Sequence, residues 1–347
     1  MDNFKPIHTK LTSLLDIQTP IISAPMYYGS TPDLAAAISK AGGFGFVAAG
    51  FDSSADMVNQ IRAIRDKVGS PPAAAAQTGV GLLGWILDRT ESSTDPRIPA
   101  ILDERPKAIW FAFGDDLGPH IVKVRAYEAD KGHKTLVFVI VNTVIEAQRA
   151  AEEWRADVLV VQGHEAGGHG GAEAPPLFSL LPAVLQSLPR RPCVVAAGGI
   201  STGAQIAALL ALGADGVVLG TRFLFTPESM YSDAMKRVLV HAGLNDSVRS
   251  VAFDEMHRTP VKTGWPIGID GRAIAKGIID DSRNGLSLEE RFRNFDEAKS
   301  RGDTNHLIIW AGVGAGLVNE VEAAADVLHK LHEETLRALS TAAQLVA

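Results

Sequence analysis

The chain has 347 residues, 46% of them apolar and 21% charged, and a net charge of −7. That balance describes a folded globular chain and excludes a disordered one, and with no run of lysine or arginine longer than two residues it excludes a basic nucleic-acid footprint. Cys193 is the sole cysteine, which excludes an intramolecular disulfide and a cysteine-based metal site. It falls in the apolar run CVVAA and is expected to be buried and inert.

The opening MDNFKPIHTKLTSLLD lacks the charged leader and apolar run of a secretory signal, and no apolar stretch reaches the roughly 18 residues of a membrane span. The closing QLVA is not a peroxisomal tripeptide. The expectation is a cytoplasmic protein with no membrane and no nucleic-acid partner; the sequence carries no signal for the oligomeric state.

Short β-branched runs alternate with helical patterns. In chain order the strands are expected at Ile21 to Pro25, Phe44 to Gly50, Ala73 to Gly81, Ala108 to Phe113, Thr135 to Val141, Val158 to Gly163, Cys193 to Gly199 and Gly216 to Thr221. Strands apolar on both faces, separated by helices, belong to a parallel sheet, and eight of them predict a (β/α)8 TIM barrel over a doubly wound open sheet. Among the helices, TPDLAAAISKAGG offers Thr31 as N-cap, Pro32 at the first position and Gly42 as its close; STGAQIAALLALGA offers Ser201 or Thr202 as cap and Gly213 as its end. After Phe223 the runs MYSDAMKRVLVHAG and LSLEERFRNFDEAKSRG are rich in charge and lack clear strands, so a mostly helical insertion is expected over 225–305. The barrel then takes residues 1–224 and 306–347, ending in an amphipathic helix with Val321, Val327, Leu328 and Leu331 on one face.

Two glycine-rich signals carry the chemistry. Gly198-Gly199 ends an apolar strand and leads into a helix whose free N–H groups are expected to face an anion; Gly220-Thr221 repeats the pattern after the next strand. Paired glycine turns after the last two strands form the phosphate site of such barrels. Upstream, VQGHEAGGHGG places His169 in a flexible loop among Gly167, Gly168, Gly170 and Gly171, a composition costly in entropy unless the loop hugs a ligand. An imidazole there is suited to accept a proton or to hold an anionic substrate. His164 is open between a site role and a loop role, and Glu165 is expected to bind local amides. HExxxH in a glycine-rich stretch is not the helical zinc motif, so no metal is expected.

Three further features point at the same mouth. APMYYG ends the first strand, placing Pro25, Met26 and Tyr27 at the open end, with Met26 either against a bound cofactor ring or in the core. Trp85, Trp110, Trp265 and Trp310 are candidates for core or pocket, Trp85 lying just past the third strand. The stretch LIIWAGVGAGLVNEV imitates a dinucleotide loop, but its spacing is GxGxG and too little chain follows, so it reads as a loop approaching the cofactor from the open end.

In order, APM, VQGxEAGGH, AAGGI and GADGVxxGTRF resemble the nitronate monooxygenase family, formerly 2-nitropropane dioxygenases, over roughly residues 20–225, with WAG near Trp310 as a weaker echo. The resemblance implies an FMN-dependent TIM barrel that oxidises alkyl nitronates, of the propionate 3-nitronate type, with O2 to a carbonyl compound and nitrite. It implies His169 as the catalytic residue. It also implies FMN contacts from Pro25, Met26, Gln162, Gly167, Gly198 and Gly199, with Gly220, Thr221, Arg222 and Phe223 as the second phosphate loop. One departure stands out: where the family often has Asn in a VN pair on the third strand, this chain has Val80-Gly81, leaving Gln77 or Thr78 to substitute. Alternative functions are an NAD(P)H-dependent FMN reductase acting on a quinone or enoyl thioester, since flavin-dependent enoyl reductases share the EAGGH-like loop, and a non-redox barrel binding a phosphorylated ligand.

Overall fold

The computed structural model describes residues 5–71, 74–257 and 264–345. Eight parallel strands make a nearly closed barrel: β1 (Ile21–Ser23), β2 (Phe46–Ala48), β3 (Ala76–Leu83), β4 (Pro106–Ala112), β5 (Leu136–Val141), β6 (Val158–Gln162), β8 (Cys193–Ala197) and β9 (Gly216–Leu219). All eight expected strands are present. Ala73, the expected start of the third, lies outside the described residues. The seam is closed where β9 pairs with β1 and Ile22 bridges to Phe44 just before β2.

The continuous apolar runs follow from two apolar environments. Along β6, Val158 and Val160 point into the barrel while Leu159 and Val161 point to the helices, all fully buried. Inside, Phe46, Trp110 and Phe138 pack together, with Phe46 edge-on to both partners at 5.4 and 5.3 Å. Leu11 and Leu15, from the helix Lys10–Leu15, plug the closed end. Cys193 lies in this interior, where burial pushes its thiol well above the usual range.

Thr31 caps Pro32–Lys40 by accepting from the Leu34 N–H at 3.0 Å, and Thr202 caps Gly203–Ala211 by accepting from Gln205 at 3.3 Å, as their sequences predict. The last helix, Ala324–Gln344, returns to the barrel and packs on Gly203. Val327, Leu328 and Leu331 are buried, but Val321 precedes the helix and is exposed, so it is not part of the buried face.

The insertion is largely helical, with Asp233–Val240, Lys276–Arg283 and Leu288–Arg301 as its α-helices. It also holds strands that its charge-rich sequence hides: β10 (Val248–Ser250) and β11 (Ile269–Ile274), which pair antiparallel and continue to β12 (Ile309–Trp310). β11 reads IDGRAI because its polar residues are buried and bonded: Asp270 accepts from Arg249 at 2.8 Å, and Arg272 donates to the Ser247 carbonyl at 2.7 Å.

The glycine-rich segment is not a flexible loop. Gly168–Gly171 forms β7, which pairs antiparallel with β11 in the register Gly168↔Arg272, His169↔Gly271, Gly170↔Asp270 and Gly171↔Ile269. Its glycines are required first by the chain itself. A Cβ on Gly167 would overlap the Ala311–Gly312 backbone, one on Gly170 would press on the Gln162 amide, and one on Gly171 would meet Asn142.

Two stability predictions follow from these contacts. Because the obstacle to a side chain at Gly167 is backbone, Gly167→Ala is expected to lower unfolding free energy by about 1–3 kcal/mol, seen as a lower urea midpoint at constant slope; an unchanged midpoint would contradict the packing. Burial holds the imidazoles of His133, His164 and His332 below their usual range, reinforced at His164 by Arg272 and Arg249. The unfolded chain then binds more protons than the folded one as pH falls through the ordinary histidine value of 6.5, so stability is full above that value and declines below it. The melting temperature should drop between about pH 7.5 and about pH 5.5, and His332→Gln, which keeps a donor for the Lys5 carbonyl, should shallow the drop. Parallel profiles for parent and variant would refute the assignment to His332.

Candidate active site

One cavity opens at the C-terminal ends of the barrel strands and is roofed by the second sheet and its neighbours. Its barrel side brings together Pro25, Met26, Gln162, Gly167, Gly198, Gly199, Gly220 and Thr221, all named by the sequence, together with His169. Arg222 and Phe223 point elsewhere. Arg222 is buried in an ion pair with Glu322 at 2.9 Å, and Phe223 is fully buried in the core between strands and helices.

At one end of the cavity lie the two glycine turns. Gly198 and Gly199 have φ of +112° and +70°, conformations that side chains other than glycine rarely adopt, and they carry the chain from β8 toward Gly203–Ala211. The helix behind them does not offer the free amides its sequence suggests. The Ser201 and Thr202 N–H groups donate to Gln205 Oε1 at 2.8 and 3.1 Å, and the Gly203 N–H donates to Glu334 Oε2 at 3.0 Å. What stays open is the turn itself: among the described residues, the N–H groups of Gly199, Ile200 and Gly220 have no acceptor. Thr221 Oγ1 accepts from the Gly312 N–H at 2.9 Å, which leaves its own O–H free to donate. Gly314 of the GVGAG stretch lines the same end, as a loop reaching over the mouth would.

At the other end the lining is aromatic, and His169 is its polar centre. The imidazole stacks on Trp265, with ring centroids 3.5 Å apart and 11° between planes, and Trp310 lies 4.9 Å away, tilted. Gly271 faces His169 in register and has no side chain, so the Trp310 ring occupies that space. His169 Nε2 is hydrogen-bonded to Asp254 Oδ1 at 2.8 Å, with the two side chains only 11% and 16% exposed, so solvent screens the pair weakly. Trp110 also lines the cavity. Trp85 does not, and instead backs Trp265 at 5.4 Å.

Gln162 is held from two sides. Its Oε1 accepts from Asn142 Nδ2 at 2.9 Å, and its Nε2 donates to the His169 carbonyl at 3.3 Å. Neither Asn142 nor Asp254 is singled out by sequence. Asn142 has a weak signal, a lone amide closing the apolar strand TLVFVIV; Asp254, in VAFDEMH, has none. Glu165 accepts from the Leu177 N–H at 3.1 and 3.0 Å, the local amide role expected of it. His164 lies apart from His169, lining a separate polar hollow with Arg249, Asp270 and Arg272.

The third strand answers the departure noted in the sequence. Gln77 Nε2 donates to the Leu15 carbonyl at 2.7 Å and Thr78 Oγ1 to the Gly45 carbonyl at 2.9 Å, so neither lines the cavity and neither replaces an amide there. Gly81 does line it, and its bare Cα is where the Pro25 ring packs; a Cβ would overlap that ring.

A family model described as nitronate monooxygenase matches residues 8–334, running through barrel and insertion alike. A nitronate monooxygenase of Neurospora crassa is 36% identical, over 90% of this chain and 88% of its own. Among solved structures, nitroalkane oxidase from Streptomyces ansochromogenes superposes with a TM-score of 0.75 at 27% identity, covering 95% of this chain and 99% of that one. FabK from Thermotoga maritima superposes equally well, at 0.75 and 26% identity, covering 98% of both chains. With one family model spanning the glycine turns, the histidine strand and the roof that holds it, the chain belongs to the nitronate monooxygenase family, a family of oxidoreductases.

Proposed function

We propose that this enzyme binds FMN in the cavity and oxidises alkyl nitronates with O2 to a carbonyl compound and nitrite. The observation that carries the reading is the arrangement of the cavity, with unpaired turn amides at one end and a partly buried, carboxylate-paired histidine at the other. The fit to FMN rests on those amides: the N–H groups of Gly199, Ile200 and Gly220 and the hydroxyl of Thr221 are donors without a described acceptor, the donor set a phosphate requires. Pro25 and Met26 supply an apolar wall for a ring system, and Gln162, locked by Asn142, supplies an amide. Bound flavin would supply the redox chemistry, passing electrons from the nitronate to dioxygen.

The protein's part is binding, orientation and proton handling. His169 takes the α-proton of a neutral nitroalkane, or, when protonated, stabilises the anionic nitronate directly. Trp265, Trp310 and Trp110 exclude water around the reacting carbon and strengthen the field of any charge held there. A nitronate such as propionate 3-nitronate is the substrate class the site is proposed to take. The equal likeness to FabK favours a second reading, NAD(P)H-dependent reduction of a quinone or an enoyl thioester on the same flavin.

The test begins with colour. Purified enzyme should show a flavin spectrum, bleach anaerobically with a nitronate and release nitrite in air. Bleaching by NADPH or NADH with no nitrite from a nitronate would replace the first reading by the second. His169→Ala should keep the flavin and lose turnover of a neutral nitroalkane by about 10²–10⁴-fold, with a clearly smaller loss on the preformed nitronate. Equal losses on both would remove the proton-transfer role.

A further inference from the structure

We infer that Asp254 is a positioning residue: it keeps the neutral His169 imidazole protonated on Nε2 and so makes Nδ1 the atom that faces the cavity as proton acceptor. The inference rests on the reading of His169 as the residue that handles the substrate proton. A carboxylate accepts hydrogen bonds and does not donate them, so the contact at 2.8 Å between Asp254 Oδ1 and His169 Nε2 places the proton on Nε2. Nδ1 has no hydrogen-bond partner among the described residues, yet it is not among the sealed, unpaired buried atoms, so it reaches the cavity that His169 lines.

The surroundings leave Asp254 as the group that sets this tautomer. In the β7–β11 ladder His169 stands opposite Gly271, so the flanking charged residues Asp270 and Arg272, opposite Gly170 and Gly168, lie on the other face of the sheet. Arg249 is also committed there, to Asp270 and the Gly170 carbonyl. On the imidazole's own side Trp265 covers one ring face, His257 and Trp310 line the same cavity, and Asp254 is the carboxylate within ion-pair distance among the described residues. Asp254 itself sits on a packed element. The 3-10 helix Val251–Met256 is capped by Ser250 and anchored by Phe253, fully buried against Trp310, and Arg291 holds it by pairing with Glu255 at 2.7 Å. A ligand oriented from a rigid neighbour keeps its geometry as charge develops.

The proton step balances without a further reagent. The Nδ1 lone pair takes the α-proton, the C–H electron pair stays on the substrate and delocalises into the nitro group to give the nitronate, and the imidazolium formed keeps its Nε2–H on the Asp254 carboxylate. Loss of that partner costs rate by misplacing or inverting the tautomer, without removing a group that touches substrate.

The experiment combines nitrogen NMR of histidine-labelled protein with kinetics. The His169 signal, assigned by its loss in His169→Gln, should report a neutral ring protonated on Nε2. In Asp254→Asn, whose amide can donate to Nε2, population should shift to the Nδ1–H form. The kcat for a neutral nitroalkane should fall by about 10–10³-fold with KM within about twofold, and turnover of the preformed nitronate should fall less. A ring protonated on Nδ1 in the parent enzyme overturns the inference whatever the variant does. So does an Asp254→Asn variant that keeps both the Nε2–H tautomer and its kcat. If His169→Ala turns over neutral nitroalkanes normally, the proton-transfer reading fails, while the tautomer measurement still judges the Asp254 pairing on its own.

Discussion

The ladder between Gly168–Gly171 and Ile269–Arg272 is the constraint on which the site depends. Four residues rich in glycine lose much conformational freedom when ordered, roughly 1–2 kcal/mol each for the backbone, and in an isolated loop nothing would repay that cost. Pairing with β11 repays it with backbone hydrogen bonds and contacts on both faces. It also sets facing, because alternation along β7 presents His169 to the cavity and turns its neighbours to the polar side. Trp265, Asp254 and Gly271, which surround the imidazole, all come from the insertion, so the roof supplies half of the site.

The polar side of that sheet binds the two parts together. Arg249 and Arg272 stand opposite each other on β10 and β11, and Asp270 is ion-paired with Arg249 at 2.8 Å. Further donors of the pair go to carbonyls of the glycine-rich stretch and of Ser247: His164, Ala166 and Gly170 from Arg249, His164 and Ser247 from Arg272. Buried guanidinium groups that find carbonyls in another segment make that segment part of their own fold, since separating the two would strand charges in a dry environment.

The barrel was legible because its strands are apolar on both faces, a pattern that local residues alone determine, and the caps Thr31 and Thr202 were legible for the same reason. The glycine turns at Gly198-Gly199 and Gly220-Thr221 could be placed at one mouth once the strands were counted. What stayed hidden depended on partners distant in sequence. β11 carries no strand signal in its sequence because Asp270 and Arg272 are satisfied by residues some twenty positions away. Asp254 meets His169 across 85 residues, and Glu334 reaches the Gly203 amide across 131, so no local spacing announces either. The glycines of β7, and Gly167 just before it, were legible as a signal, but their cause was not: the close approach they permit is to Ala311–Gly312 at Gly167, to Gln162 at Gly170 and to Asn142 at Gly171.

The single cysteine carries a consequence for handling this enzyme. Cys193 is fully buried inside the barrel, and the surrounding apolar side chains keep its thiol protonated. Thiol-directed reagents therefore need the barrel to open before they can react, since the thiolate is the reactive species. The rate at which a maleimide or disulfide reagent modifies the native protein becomes a clock for strand separation in the barrel, readable without a label, a spectroscopic cofactor or a substrate.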